Sequence, residues 1–262
     1  MDSLVLYCKS YHKDVDRVAL LLDSIRRYNV DSIPFYISVP ASDLELFRTK
    51  LGTEDYELVS DESIDQEGSG WTGQQVIKSQ FWKLELCHNY LCLDSDSEFI
   101  KPFCREDFLY EGNIPYTVCH EQKELFEWSQ KSLHFDPQEG FQVDRKKVMD
   151  LFGRRGRYYD FGPSPVIWNR EVWRGLEELY IKPNNLTFGQ LIDFSHSEFT
   201  WYGEFLLKSK IIPIYPTQPL FKVFHYPGQY VEMKQKGYTL EDISKNYLGV
   251  ILQSNWGAPL NY

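Results

Sequence analysis

Five segments in the first sixty residues alternate between strand and helix periodicity, and nothing else in the sequence restricts the fold as tightly. Ser3 to Tyr7 is an apolar run of strand length. Val15 to Tyr28 then carries Val18, Leu21, Leu22 and Ile25 at helical spacing and ends on Arg26 and Arg27. Ile33 to Val39 is a second strand, closed by Pro40. Ser42 caps a short helix over Asp43 to Leu51, and Tyr56 to Val59 is a third strand. Strands and helices joined this closely predict right-handed βαβ units and a parallel sheet.

A long helix is expected next, from Trp71 to His88, after a break at Gly68-Ser69-Gly70. Ile77, Phe81 and Leu84 form its apolar stripe. Gln74 and Lys78 share another face with Gln75 beside them, a pattern that an ordinary solvated face also explains. The helix feeds Tyr90-Leu91-Cys92-Leu93, a buried strand that runs into Asp94-Ser95-Asp96. In a parallel α/β sheet the C-terminal ends of strands open on the crevice that binds ligands. If extension continues through Ser95, both carboxylates point to one side. Two hard oxygen ligands there suit Mg²⁺ or Mn²⁺ held jointly with substrate phosphates. Asp and Ser are also common turn residues, so a plain strand end accounts for the same letters. No glycine-rich phosphate loop of Walker or dinucleotide type is present.

The chain of 262 residues suits one large α/β domain or two small ones. A net charge of −10 argues against a general nucleic-acid binder, which needs a basic surface. Aromatic residues reach 16%, enough to serve both a core and faces for sugar rings. The cysteines are five, an odd number without a C-x-x-C pair, and Cys8 and Cys92 sit inside strand patterns. Buried thiols and a reducing compartment follow. With no signal peptide or membrane-spanning run, the expected location is cytoplasmic, with room for peripheral association at a membrane surface.

Beyond Phe103 the expected elements are a strand at Tyr116 to Cys119, helices at Glu121 to Ser129 and Phe141 to Phe152, and a loop over Lys131 to Gly140 between them. Gly153-Arg154-Arg155-Gly156-Arg157 reads as a basic surface loop, the alternative being contact with an anionic acceptor or lipid head group. A strand at Ser164 to Trp168 and helices at Arg170 to Ile181 and Phe188 to Phe194 follow. Strands at Ile211 to Tyr215, Phe221 to Phe224 and Val250 to Leu252, with a helix at Leu240 to Tyr247, complete the chain. No repeat or linker divides it.

Gly70-Trp71-Thr72-Gly73-Gln74-Gln75-Val76-Ile77-Lys78, running into Tyr90 to Asp96, resembles the glycosyltransferases of the GT-A fold, and more narrowly bacterial polysaccharide-associated transferases. The resemblance implies a mostly parallel, Rossmann-type central sheet with flanking helices. Residues 1–262 would form one domain, with a nucleotide-sugar half over 1–103 and an acceptor half over 104–262. It also implies that Asp94 and Asp96 bind Mn²⁺ or Mg²⁺ clamping the diphosphate of a nucleotide sugar. His225, after Leu220 to Phe224, matches a further metal ligand. The partners would be a nucleotide diphosphate sugar, with UDP-sugar the first choice, and a glycan or glycolipid acceptor.

Glycosyl transfer builds charge on the departing diphosphate, which a metal and a lysine such as Lys78 or Lys222 would stabilise. An inverting reaction needs a carboxylate to take the acceptor's proton. Glu198, after Ser197 at the start of a helix, is the candidate, with Glu204 and Asp160 in reserve. As a first-turn residue, Glu198 is equally explained by the helix dipole. Ser10, Tyr11 and Asp61 are candidates for the base and ribose, and Gln74 and Gln75 for the donor. Two other classes fit Asp94 and Asp96. One is a phosphatase of the haloacid-dehalogenase type, against which count the three strand–helix units before the motif and the missing late acidic motif. The other is a noncatalytic carbohydrate-binding protein.

Overall fold

The structure, a computed structural model, describes residues 1–66, 70–134 and 138–262. Its first half is β1 (Asp2–Lys9), α1 (Val15–Tyr28), β2 (Phe35–Val39), α2 (Leu44–Leu51), β3 (Glu57–Ser60), α3 (Gly70–Gln80), β4 (Cys87–Leu93) and β5 (Ser97–Phe99). The second half adds β6 (Leu109–Tyr110), β7 (Ile114–Val118), α4 (Lys123–Leu133), α5 (Gln138–Leu151), β8 (Val166–Asn169), α6 (Arg170–Leu176), α7 (Phe188–Phe194) and α8 (Glu198–Ser209). It closes with β9 (Tyr215–Thr217), β10 (Phe221–Phe224), α9 (Pro227–Gln235), α10 (Leu240–Ser244) and β11 (Gly249–Leu252).

The central sheet has the order β3-β2-β1-β4-β8. Its first four strands are parallel, with Leu6 paired to Phe35 and to Leu91, and β8 is antiparallel to β4 through Tyr90 and Trp168. Helices cover both faces, which is why β1 and β4 read as unbroken apolar runs. Strand alternation divides them: Val5, Tyr7, Tyr90 and Cys92 enter one core with Ile77, Phe81 and Trp168. Leu4, Leu6, Cys8, Leu91 and Leu93 enter the other with Val18, Leu21 and Ile25. Cys8 and Cys92 are buried free thiols, pushed above the ordinary thiol range by burial.

Two small sheets flank this one, β10-β11-β5 and β6-β7-β9. In the first, β10 is parallel to β11 and β11 antiparallel to β5, so the chain leaves the central sheet at the end of β4 and enters a sheet built from its last forty residues. The chain is thus a mixed α/β domain around a mostly parallel sheet, as expected. Among the described residues no helix is long and apolar enough to cross a membrane.

Several boundaries depart from the sequence expectations. The helix expected to reach His88 stops at Gln80, passes through a 3₁₀ turn over Phe81–Leu84 and ends at Glu85 in the left-handed region. Pairing of Cys87 with Asp2 extends β4 backwards into residues expected to be helical. Ile211 to Ile214 is not a strand; β9 starts at Tyr215, where pairing with Tyr116 of β7 begins. Helix α9, which carries no clear apolar stripe, was not anticipated at all. The expected break at Gly68-Ser69 and part of the expected loop over Lys131 to Gly140 lie outside the described residues, while Lys131 itself belongs to α4.

One glycine fixes how the second half packs. A Cβ on Gly203 of α8 would lie 2.0 Å from the Phe161 ring, so only glycine lets α8 approach the 160–164 segment. Gly203→Ala should therefore cost about 1–3 kcal/mol of stability through overpacking, more than the roughly 1 kcal/mol by which alanine favours a helix. Urea unfolding measures it, and an unchanged or raised midpoint would contradict this packing.

Candidate active site

The end of β4 is a turn. Ser97 N donates to Asp94 O at 3.1 Å, so the backbone does not stay extended through Ser95 and the geometric premise for the two aspartates fails. Different partners hold them instead. Asp94 N donates to Ser164 Oγ at 3.0 Å, and that hydroxyl donates to Cys92 O at 3.2 Å. Asp96 Oδ2 accepts from Ser254 N at 2.8 Å. Burial first, and then the neighbouring Asp94 charge, pushes the Asp96 carboxyl up to about 6. The pair is electrostatically under-compensated at the crevice mouth.

Lys78, on α3, points its ammonium into this turn. Nζ donates to Asp94 Oδ1 at 2.5 Å and lies 3.7 Å from Glu198 Oε1. The helix face that sequence alone explains as solvated is therefore buried over Gln75 and Lys78, while Gln74 is half-buried. Tyr90 supports the helix from the sheet, its hydroxyl donating to Lys78 O at 3.0 Å. Burial opposes the Lys78 charge, but Asp94 and Glu198 outweigh it and hold the pKa well above the ordinary lysine value. Glu198 opens α8 behind Ser197, whose Oγ accepts from Thr200 N. It is 3% exposed, and burial raises its carboxyl pKa although Lys78 pulls the other way. One cation between two carboxylates leaves the more buried one the easier to protonate.

A second buried pair sits at the ends of β1 and β3. Lys9 Nζ lies 2.8 Å from Asp61 Oδ2, and burial raises the Asp61 carboxyl against the pull of Lys9. Three of the sequence candidates present buried oxygens with no hydrogen-bond partner: Ser10 Oγ, Asp61 Oδ1 and Gln75 Oε1. They are three of ten such atoms among the described residues; Ser10 and Asp61 follow the C-terminal ends of β1 and β3, where a parallel sheet binds ligands, and Gln75 lies on α3. Tyr11 is half-buried, and its ring lies edge-on to that of His12, 5.4 Å away.

The remaining candidates go elsewhere. Glu204 is buried in a two-pronged ion pair with Arg154, which also takes that arginine out of the basic loop. Asp160 accepts from Arg145 at 2.8 Å and Gln122 at 2.5 Å; burial would raise its pKa, but these partners hold it below the usual carboxylate value. Both are saturated structural anions and unsuited to proton transfer. His225 lies on the wall of a large cavity, and burial lowers its pKa to about 4. Lys222 lines the same cavity. Asp94, Asp96 and His225 do not bring their ligand atoms within 4.8 Å of one another; among the described residues, the group that does so is Asp31, Cys104 and Glu106. That group lies towards the opposite end of the strands, where Arg105 binds Asp31 and Ser3 near the start of β1.

Sequence reasoning missed four residues that hold the site: Lys9, Ser164, Ser254 and Asp14. Lys9 had a signal, a cation directly at the end of a buried strand. Asp14 packs close enough for Ser95 to hydrogen-bond its carboxyl, in a loop that gave no cue. Ser164 and Ser254 act on the turn from 70 and 158 residues away, which no local pattern records.

The arrangement belongs to a known class of fold. The structure matches that of the galactosyltransferase LgtC, solved in complex with donor and acceptor sugar analogues, with a TM-score of 0.52 over 99% of this chain and 88% of that one. Sequence identity is 12%, so the likeness is one of fold, a GT-A-like glycosyltransferase fold. By sequence, the chain belongs to the family of unknown function DUF6492, whose model matches residues 3–150. No curated protein matches it in sequence.

Lys78→Met tests the charge arrangement. It leaves Glu198 and Asp94 without their shared cation and should cost about 3–5 kcal/mol, as loss of one member of a buried ion pair does. Adding Glu198→Leu should recover part of that loss. Urea unfolding of both variants decides; a Lys78→Met protein as stable as the parent would refute the reading.

Proposed function

We propose that this protein is a metal-dependent glycosyltransferase, moving a sugar from a nucleotide diphosphate sugar to a hydroxyl of a glycan or glycolipid acceptor in surface polysaccharide synthesis. The observation that carries the reading is the trio of unpartnered buried oxygens, Ser10 Oγ, Asp61 Oδ1 and Gln75 Oε1, together with a half-buried carboxylate turn at the end of β4. Acceptors without donors suit the hydroxyls of a ribose and the N–H groups of a base. The GT-A-like fold supports the same class.

The carboxylate turn fits a divalent cation such as Mn²⁺ or Mg²⁺. Desolvation and the Asp94 charge raise the Asp96 carboxyl to about 6, and a cation shared by the two would offset both effects. Asp94 and Asp96 would hold it. Once bound, such an ion supplies positive charge beside the departing diphosphate. The protein's own contribution is positional. Lys78 holds Asp94 and carries a permanent charge into the crevice. Glu198 faces Lys78 and is not among the residues lining the cavity, so we assign it the orientation of Lys78 in place of proton removal. The phosphatase alternative draws no support from the topology, in which β1 opens the sheet and the aspartates follow its fourth strand.

A thermal-shift series with UDP, GDP and CDP, with and without Mn²⁺, tests the class. One nucleotide should stabilise the protein only when metal is present. Asp96→Asn should abolish that shift and keep the parent's melting temperature without ligand. Glu198→Gln separates its two roles. Orientation of Lys78 predicts weaker binding of the diphosphate, whereas a base would lose about 10²–10⁴-fold in turnover with donor affinity intact. A nucleotide shift indifferent to metal and to Asp96 would remove the proposal.

A further inference from the structure

A large cavity lies apart from the carboxylate turn. Its volume is about 1090 Å³, and Asp94, Asp96 and Lys78 are not among its lining residues. The two spaces share one wall: Pro163 lines the cavity, and the next residue, Ser164, accepts the hydrogen bond from Asp94 N. Helices α4 and α9, strand β10 and the segment after α10 enclose it.

Its chemistry is selective. Three glutamates and three lysines line it, so apart from two histidines the charges cancel. A polyanion would find no excess of positive charge there, and the wall mixes these charges with apolar side chains such as Leu125, Pro219 and Met233. Gln218, Asn246 and His225 also line it, and among the described residues no hydrogen bond reaches their side chains. Amides and an imidazole combine donor and acceptor in one group, which is what a sugar hydroxyl requires.

An aromatic ring is fixed on the same wall. Trp128 stacks on Tyr226 with centroids 5.7 Å apart and planes 18° apart, and its Nε1 donates to Glu232 at 2.7 Å. Gly228 lets α9 close on it, since a Cβ there would come within 2.9 Å of the indole. An indole held from three directions costs little entropy to use as a platform. The volume exceeds the roughly 300–1,000 Å³ that buries a drug-sized ligand, so more than one sugar ring has room.

We infer that this cavity binds an uncharged oligosaccharide of two or more rings against Trp128. On the transferase reading, on which this assignment of role rests, it is the acceptor's site, with the reacting hydroxyl at the Pro163 wall.

Saturation-transfer NMR on the full chain tests it with lactose, maltotriose, cellotriose and, as an anionic control, trigalacturonate. At least one neutral saccharide should bind the parent and Asp96→Asn alike, and bind at least tenfold more weakly to Trp128→Ala. Gln218→Ala, a change at the cavity wall away from the packed indole, should weaken it too and serves if Trp128→Ala does not fold. The metal-dependent nucleotide shift should survive both cavity variants. Preferred binding of trigalacturonate, no binding by any neutral saccharide, or binding unaffected by the cavity variants would each overturn the inference. Saccharide binding without any nucleotide shift would uphold the cavity and overturn the transferase reading.

Discussion

Lys78 is the point on which the site depends. It is buried between Asp94 at the end of β4 and Glu198 at the start of α8, and so ties α3 and the central sheet to the second half of the chain. Such contacts contribute little net stability, because desolvating three charges offsets most of their attraction. What they contribute is position. A buried ammonium with two anionic partners has one low-energy place, and that place fixes the first carboxylate of the turn.

The turn itself is a junction between two sheets. After Leu93 the chain reverses through Asp94 to Ser97 and pairs with β11, whose own partner β10 leads to His225. Ser254, just beyond β11, donates its amide to Asp96. Residues near the chain's end thereby complete a site founded by its first hundred residues. The interlocking also places Pro163 on the wall of the large cavity and the next residue, Ser164, against the carboxylate turn.

Much of this was legible in the sequence. The order β1-α1-β2-α2-β3 follows from segment length and periodicity alone, and the carboxylates after a buried run mark the end of β4. Polar burial was not legible. Gln75 and Lys78 have the spacing of a solvated helix face, and only the packing of α3 on the sheet shows that they point inward. Likewise Glu204 and Asp160 are acids of the right type for catalysis, but Arg154 and Arg145 neutralise them, and those pairings span 50 and 15 residues. The strand expected at Ile211 failed for a related reason: pairing with β7 decides which residues of that apolar stretch are in a strand.

The central claim is that the turn after β4 is a cation site serving a nucleotide diphosphate. Crystals grown with Mn²⁺ and UDP, measured at the manganese absorption edge, test it directly. The account predicts an anomalous peak within coordination distance of the Asp94 and Asp96 carboxylates, with diphosphate density beside it. A peak at Asp31, Cys104 and Glu106 instead, or diphosphate bound with no metal at the turn, would contradict it.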